Sequence, residues 1–236
     1  MKASTLYRKI KNRLKPPAEV RHKYERLYES YSSHTRIIKP HYLWNCELAS
    51  SVSTIGDIVE CGVWKGGMMA GIAEIMGPDR HYHLFDSFEG LPDVTEIDGE
   101  SAATWMKTND IAACKTEERF AAEAMCQAGA ENANIVKGWF NDTLQTVSFP
   151  RGIALLRLDA DWYSSTAECL NVLYEKVNVG GMIIFDDYFA WDGCSKALHD
   201  FLSMNKLADR IRVKNGEVCY LIKESLSEIK PIDSTI

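Results

Sequence analysis

Acidic residues gather at the ends of two apolar runs. Ile153-Ala154-Leu155-Leu156-Arg157-Leu158 stops at Asp159-Ala160-Asp161, and Gly180-Gly181-Met182-Ile183-Ile184-Phe185 stops at Asp186-Asp187. Runs this short, apolar on both faces, read as buried parallel strands. Carboxylates at the carboxyl ends of neighbouring strands lie where open α/β sheets take up ligands. Unpaired buried carboxylates are costly, so the cluster asks for a hard divalent cation. Asp159, Asp186 and Asp187 offer oxygens to Mg2+, which is octahedral and keeps positions open for other oxygen ligands. No His or Cys stands at these strand ends, which argues against zinc. Asp161, two residues past Asp159, is the candidate general base. A cation lowers the pKa of a coordinated hydroxyl, so that even a weak carboxylate base takes its proton.

A second group lies upstream. Glu60-Cys61-Gly62-Val63-Trp64-Lys65-Gly66-Gly67 joins an apolar run to a helical stretch. Glycines allow a sharp bend and close approach of a ligand, and the following helix N-terminus exposes free amides. The spacing is GxxxGG rather than GxGxxG. Val63 and Trp64 stand where a dinucleotide needs a glycine for its pyrophosphate, which disfavours NAD. Asp86-Ser87, about twenty residues on, suits hydrogen bonds to ribose hydroxyls, whether of NAD or of S-adenosylmethionine. Trp139 and Phe140 follow the third strand and suit stacking on an adenine ring. Trp162, Tyr163, Tyr188, Phe189 and Trp191 crowd the acidic crevice, as walls of an acceptor site or as core. His81 and His83 lie at the start of a strand, away from the acids, and read as structural, as does His199 within the last helix.

These residues need a scaffold that alternates strand and helix. Helices are expected over 18–32 and from Pro40 to about Ser53. Strands follow at 58–62, 81–85, 133–137, 153–158 and 180–185, with helices at 68–76, 116–129, 141–147, 164–177 and 194–204. Ser164 or Ser165 is expected to cap the 164–177 helix, with Glu168 at capping-box distance. Residues 87–115 read as a long irregular loop, of the kind that often forms a lid. Asn215-Gly216 joins two final runs, 210–214 and 218–223, as a hairpin. The expected fold is therefore an α/β, Rossmann-like sheet, mostly parallel, with an antiparallel C-terminal hairpin strand and helices on both faces. Its expected organisation is a helical extension over 1–54, one domain over 55–225, and a tail over 226–236.

The bulk composition excludes several classes. The 236-residue chain is 46% hydrophobic and 25% charged, ordinary for a globular protein. No apolar stretch reaches membrane-spanning length, and the N-terminus lacks a signal-peptide core. Seven scattered cysteines without CxxC spacing suggest a reducing, cytoplasmic setting. Residues 1–40 carry a net charge of +8 and the remainder −14. The acidic body argues against nucleic-acid binding.

Val59-Glu60-Cys61-Gly62-Val63-Trp64-Lys65-Gly66-Gly67, Phe85-Asp86-Ser87-Phe88-Glu89-Gly90-Leu91-Pro92, Leu158-Asp159-Ala160-Asp161-Trp162-Tyr163 and Asp186-Asp187-Tyr188 together resemble the macrocin O-methyltransferase family. The resemblance runs over about residues 55–222. It implies a class I methyltransferase that uses S-adenosylmethionine and Mg2+, with metal ligation by Asp159, Asp186 and Asp187; the resemblance does not carry over the acceptor, which is expected to be a sugar or another hydroxylated small molecule. It implies cofactor contacts around Glu60, Gly62 and Asp86, within a wider set of Val63, Trp64, Gly66, Gly67, Ser87, Gly138, Trp139 and Asp159. In relatives like the novobiocin enzyme the acid matching Asp161 is the suggested base. Others use a His two residues after the acid pair, where this chain has Phe189. A homo-oligomer is compatible with this reading. A metal-dependent hydrolase of a nucleotide-like substrate, or a cofactor-binding homologue without activity, remain the alternatives.

Overall fold

Short β-rich runs separated by amphipathic stretches force a layered arrangement, because each sheet face must be covered. The computed structural model describes residues 17–226 and 228–235, so the basic segment before Pro16-Pro17 lies outside the described residues. Helices α1 (Ala18–Tyr31) and α2 (Lys39–Ser50) come first. The alternating series follows: β1 (Asp57–Cys61), α3 (Gly67–Met76), β2 (Tyr82–Asp86), α4 (Gly99–Thr108), α5 (Glu118–Gln127), β3 (Asn134–Lys137), α6 (Phe140–Thr143), β4 (Ile153–Leu158), α7 (Tyr163–Leu173), β5 (Val177–Phe185) and α8 (Asp192–Met204). Strands β6 (Arg212–Lys214) and β7 (Val218–Ile222) close the chain. Asn215 and Gly216 both take positive φ, +52° and +88°, as a two-residue hairpin turn of this hand requires.

The seven strands run in the order β3-β2-β1-β4-β5-β7-β6. The first five pair in parallel, and β7 is antiparallel to both β5 and β6. This is the expected fold class. Chain order reverses between β1 and β4, so a crevice opens there at the carboxyl ends. Strands β1 and β4 are buried along their whole length, as central parallel strands covered on both faces must be. One core layer joins α1, α2, α3 and α5 to the sheet through Tyr31, Tyr42, Met69 and Met125. The other joins α7 and α8 through Leu170, Tyr174, Leu198 and Phe201. Lys223, 1% exposed, donates to the carbonyls of Tyr174, Glu175 and Val177, satisfying buried acceptors of the 3-10 turn that links α7 to β5.

Two expectations need correction. Residues 87–115 are not irregular: they contain α4 and flanking 3-10 turns. A capping box starts the 3-10 turn Glu96–Asp98 that leads into α4, with Thr95 N–H and hydroxyl both donating to Asp98 Oδ2. Helix α7 starts at Tyr163, before Ser164 and Ser165, and has no serine cap or capping box. Its first amide, that of Tyr163, donates instead to Asp98 Oδ1 at 2.7 Å, a partner 65 residues away.

Candidate active site

Parallel pairing sets Glu60 of β1 directly beside Arg157 of β4. Arg157 is fully buried, and its guanidinium faces three carboxylates and an amide. Nη1 donates to Glu60 Oε1 at 2.7 Å and to Asp159 Oδ2 at 3.0 Å. Nη2 lies 2.6 Å from Asp186 Oδ1, close as an ion pair but without hydrogen-bond alignment. Nε donates to Asn45 Oδ1 of α2, tying the N-terminal helices to the acids. A buried guanidinium keeps its charge and holds several carboxylates in fixed places.

Beyond β4 the chain bends sharply. Asp161 takes φ +57°, a left-handed conformation unfavourable for a residue with a Cβ, and neighbours hold it there. Its N–H donates to Asp187 Oδ2 at 3.0 Å, and its Oδ1 accepts from Trp191 Nε1 at 3.1 Å. Oxygens of Asp159, Asp161 and Asp187 all lie within 4.8 Å of one another. Asp186, expected in that set, stands on the Arg157 side of it. Among the described residues Arg157 forms the only ion pairs these acids make, with Arg36 acting on Asp161 at longer range. Burial pushes Glu60 up to about 8 against the pull of Arg157. Burial likewise raises Asp159 to about 6, and burial with the neighbouring Asp159 charge raises Asp161 to about 8. Asp187 is raised well above the carboxylate range by burial and by Asp161. The surplus of negative charge, the all-oxygen donor set and the open crevice fit a hard divalent cation.

The glycine bend is shaped from both sides. Gly62 takes φ +84°, and a Cβ there would overlap the carbonyl of Asp159, so the crowding of β1 against β4 alone demands glycine. Asp86, expected as a ribose ligand, also has backbone partners of its own. Its Oδ2 accepts the N–H groups of Val63 and Trp64, both at 2.7 Å, and its Oδ1 accepts that of Phe88 at 2.6 Å. The carboxylate thus stitches the bend to the end of β2, while still lining the cavities beside it. Gly66 and Gly67 face Ala121 and the backbone of Tyr31 and His34, and neither lines the two cavities beside the bend.

Two cavities meet at this bend. One, of about 430 Å3, runs from Gly62, Asp86 and Ser87 past Gly138, Trp139, Phe140 and Asn141 to Ser164, Ser165 and Glu168 on the first turns of α7. The other, of about 210 Å3, is lined by Glu60, Val63, Trp64, Met68 and Asp186, with Thr35, Arg36 and Ile37 from the N-terminal region and Trp105 and Cys114 from the 87–115 segment. Gly62, Asp86, Asp159 and Asp161 border both. Glu60 Oε2 is buried beside the smaller cavity without a partner. The 87–115 segment is latched over the site: Trp162 Nε1 donates to Pro92 O, and Trp105 packs edge-on against Trp191, which packs against Trp162. Trp162 is core, whereas Phe189 is 52% exposed. His83 pairs with Asp57, and His199 with Tyr188, both outside the cavities, as expected of structural histidines.

Arg157 was not among the expected site residues. Its signal was one strong charge within an otherwise apolar strand, which is tolerated only where partners converge. Ser164, Ser165 and Glu168 carried a capping signal that hid their place on the cavity wall.

Comparison with known proteins bears on the family and the fold. The family model of macrocin O-methyltransferase (TylF) matches residues 45–221, and the chain belongs to that family. It is 36% identical over 162 residues to demethyldecarbamoylnovobiocin O-methyltransferase of Streptomyces niveus, covering 66% of this chain and 62% of that one. It is 34% identical over 168 residues to 8-demethyl-8-(2,3-dimethoxy-alpha-L-rhamnosyl)-tetracenomycin-C 4'-O-methyltransferase of Streptomyces olivaceus, covering 68% and 63%. The match thus spans less than two thirds of these curated relatives. Among solved structures, that of the O-methyltransferase NovP aligns with a TM-score of 0.69 at 30% identity, over 81% of this chain and 83% of that one. The SAH-bound methyltransferase PaMTH1 of Podospora anserina shares the fold, with a TM-score of 0.53 at 14% identity, over 95% and 97%. No helix among the described residues is long and apolar enough to cross a membrane.

Proposed function

We propose that this protein is a Mg2+-assisted O-methyltransferase that moves a methyl group from S-adenosylmethionine to a hydroxyl of a sugar or similar small molecule. The observation that carries the reading is the acid cluster at the shared wall of two cavities, one walled by aromatic rings suited to a nucleoside and one ending at the unpartnered Glu60 Oε2. In this reading Trp139 and Phe140 flank the adenine, and Glu60 accepts the ammonium of the methionyl part. The acceptor enters the smaller cavity between Trp64 and Trp105. The sugar-modifying relatives in the family support that choice of acceptor.

Asp159, Asp186 and Asp187 would hold the cation, whose contribution when bound is to acidify the nearby acceptor hydroxyl. Asp161 takes the hydroxyl proton. Its carboxylate is oriented for that task by Trp191 Nε1 and by the strained backbone held on Asp187. The latched 87–115 segment excludes water, and the fixed acids align oxygen and methyl carbon. Such alignment is worth roughly 7–11 kcal/mol in favourable systems. The test is methyl transfer from S-adenosylmethionine to a panel of deoxysugar glycosides, with Mg2+ and with EDTA. Methylation that needs the cation is expected; full activity in EDTA removes the metal from the proposal.

A further inference from the structure

The described C-terminal residues are tied down by side chains in an unusual way. Asn205, at the end of α8, donates from Nδ2 to the carbonyl of Lys230 at 3.1 Å and accepts the Lys230 N–H on Oδ1 at 2.5 Å. Two residues on, Asn171 of α7 does the same for Ile232, at 2.8 Å in both directions. Each carboxamide turns a donor and an acceptor toward the segment, so it can replace a neighbouring strand for one residue. Clasping alternate residues holds the segment extended, with the side chain of Ile232 turned in and only 5% exposed. Ile229 N–H adds a bond to Glu175 Oε1.

This path delivers the next residues to the larger cavity. Ser234 Oγ donates to Glu168 Oε2 at 3.1 Å, and Asp233 Oδ1 accepts both the N–H and the hydroxyl of Thr235. Ser234 and Thr235 then line the 430 Å3 cavity together with Glu168, Trp139 and Asn141. We propose that residues 228–235 are part of the methyl-donor site, a strap that forms the wall against the nucleoside half of the cofactor. The proposal rests on the reading of that cavity as the S-adenosylmethionine site. The polar edge it supplies, two hydroxyls beside a carboxylate, suits the amino and hydroxyl groups of a nucleoside. The clasps order the strap before ligand arrives, so its contacts act chiefly by slowing release.

The test is calorimetric titration with S-adenosylhomocysteine of the full chain, of a chain ending at Leu226, and of Ser234→Trp in the full chain. The tryptophan variant keeps both clasps and fills the wall, so it decides the matter even where the shortened chain fails to fold. Both folded variants are expected to bind about tenfold more weakly or worse, the loss of one set of wall contacts, and to release ligand faster in stopped flow. Binding by Ser234→Trp within about twofold of the parent, well under the 1.4 kcal/mol of a tenfold change, overturns the strap and leaves the cofactor site intact. A parent chain that binds no S-adenosylhomocysteine overturns the cofactor reading, and the strap with it.

Discussion

The sheet carries a charge cluster at each end, and the two are built differently. At the amino ends of the strands, buried Asp57 is met by Arg151 Nε and Nη2 at 3.1 and 2.8 Å and by His83 Nε2 at 3.3 Å, with His81 at 3.9 Å. One carboxylate there is matched by one guanidinium and a hydrogen-bonding imidazole. At the carboxyl ends, Arg157 alone is paired with Glu60, Asp159 and Asp186, while Asp161 and Asp187 add further negative charge. Folding favours satisfied charges and tolerates an unbalanced group only where something else completes it. The first cluster is therefore a structural clamp, and the second is the one to which the proposed function assigns a cation.

The sharpest break between the two is at Arg157. Arg157→Met leaves three carboxylates around one buried gap, and breaking such a pairing costs about 3–5 kcal/mol. Denaturant unfolding should show most of the protein's stability lost. Asp187→Asn should do the opposite to stability while damaging function. It removes one like charge from a crowded site, so the melting temperature should rise by a few degrees, roughly 1 kcal/mol. Methyl transfer should fall by at least about 100-fold, as when one preorganised charge-stabilising group is removed. A variant that is less stable and still active would erase the distinction between the clusters.

Asp57→Asn supplies the counterpart. It weakens charge-assisted hydrogen bonds, at a cost of about 1.5–3 kcal/mol, with turnover unchanged. Asp161→Asn and Asp186→Asn sharpen the division of labour among the acids. Mn2+ affinity read by electron paramagnetic resonance should drop for Asp186→Asn, whereas Asp161→Asn should retain the ion and lose turnover. Loss of ion binding in Asp161→Asn alone would make Asp161 a ligand, in keeping with its closeness to Asp159 and Asp187.

The smallest effect concerns His83. Burial holds its imidazole below the ordinary value, against the opposing pull of Asp57. The unfolded chain therefore takes up this proton first, near pH 6.5. Stability from His83 is present above that pH and is lost as pH falls through it toward the lower folded value. His83→Gln should remove that part of the slope in thermal melts between pH 7 and 5.

Much of this is legible in the sequence. Apolar runs ending in Asp159, Asp161, Asp186 and Asp187 mark strand ends, because a buried strand cannot continue through adjacent charges. Gly62 and the Asn215-Gly216 pair mark backbone conformations that few other residues adopt. What stayed hidden depends on partners far away in sequence. The cap of α7 comes from Asp98, 65 residues earlier. The helix α4 within a polar stretch is stabilised through Trp105 against Trp191 and is entered from a 3-10 turn closed by the Thr95–Asp98 capping box, neither of which local periodicity reveals. Asp86 looked like a ribose ligand from its position, and only the closeness of Val63, Trp64 and Phe88 shows its three backbone partners. The approach of Ser234 and Thr235 to the cavity depends on two asparagine clasps with no sequence signature.

The most direct test of a cation site beside a bound methyl donor is calorimetric titration of Mg2+ into the protein saturated with S-adenosylhomocysteine, for the parent chain and for Asp187→Asn. One ion per chain in the parent, with binding abolished in the variant, is the predicted result. Absence of binding in the parent, or unchanged binding in the variant, would contradict it.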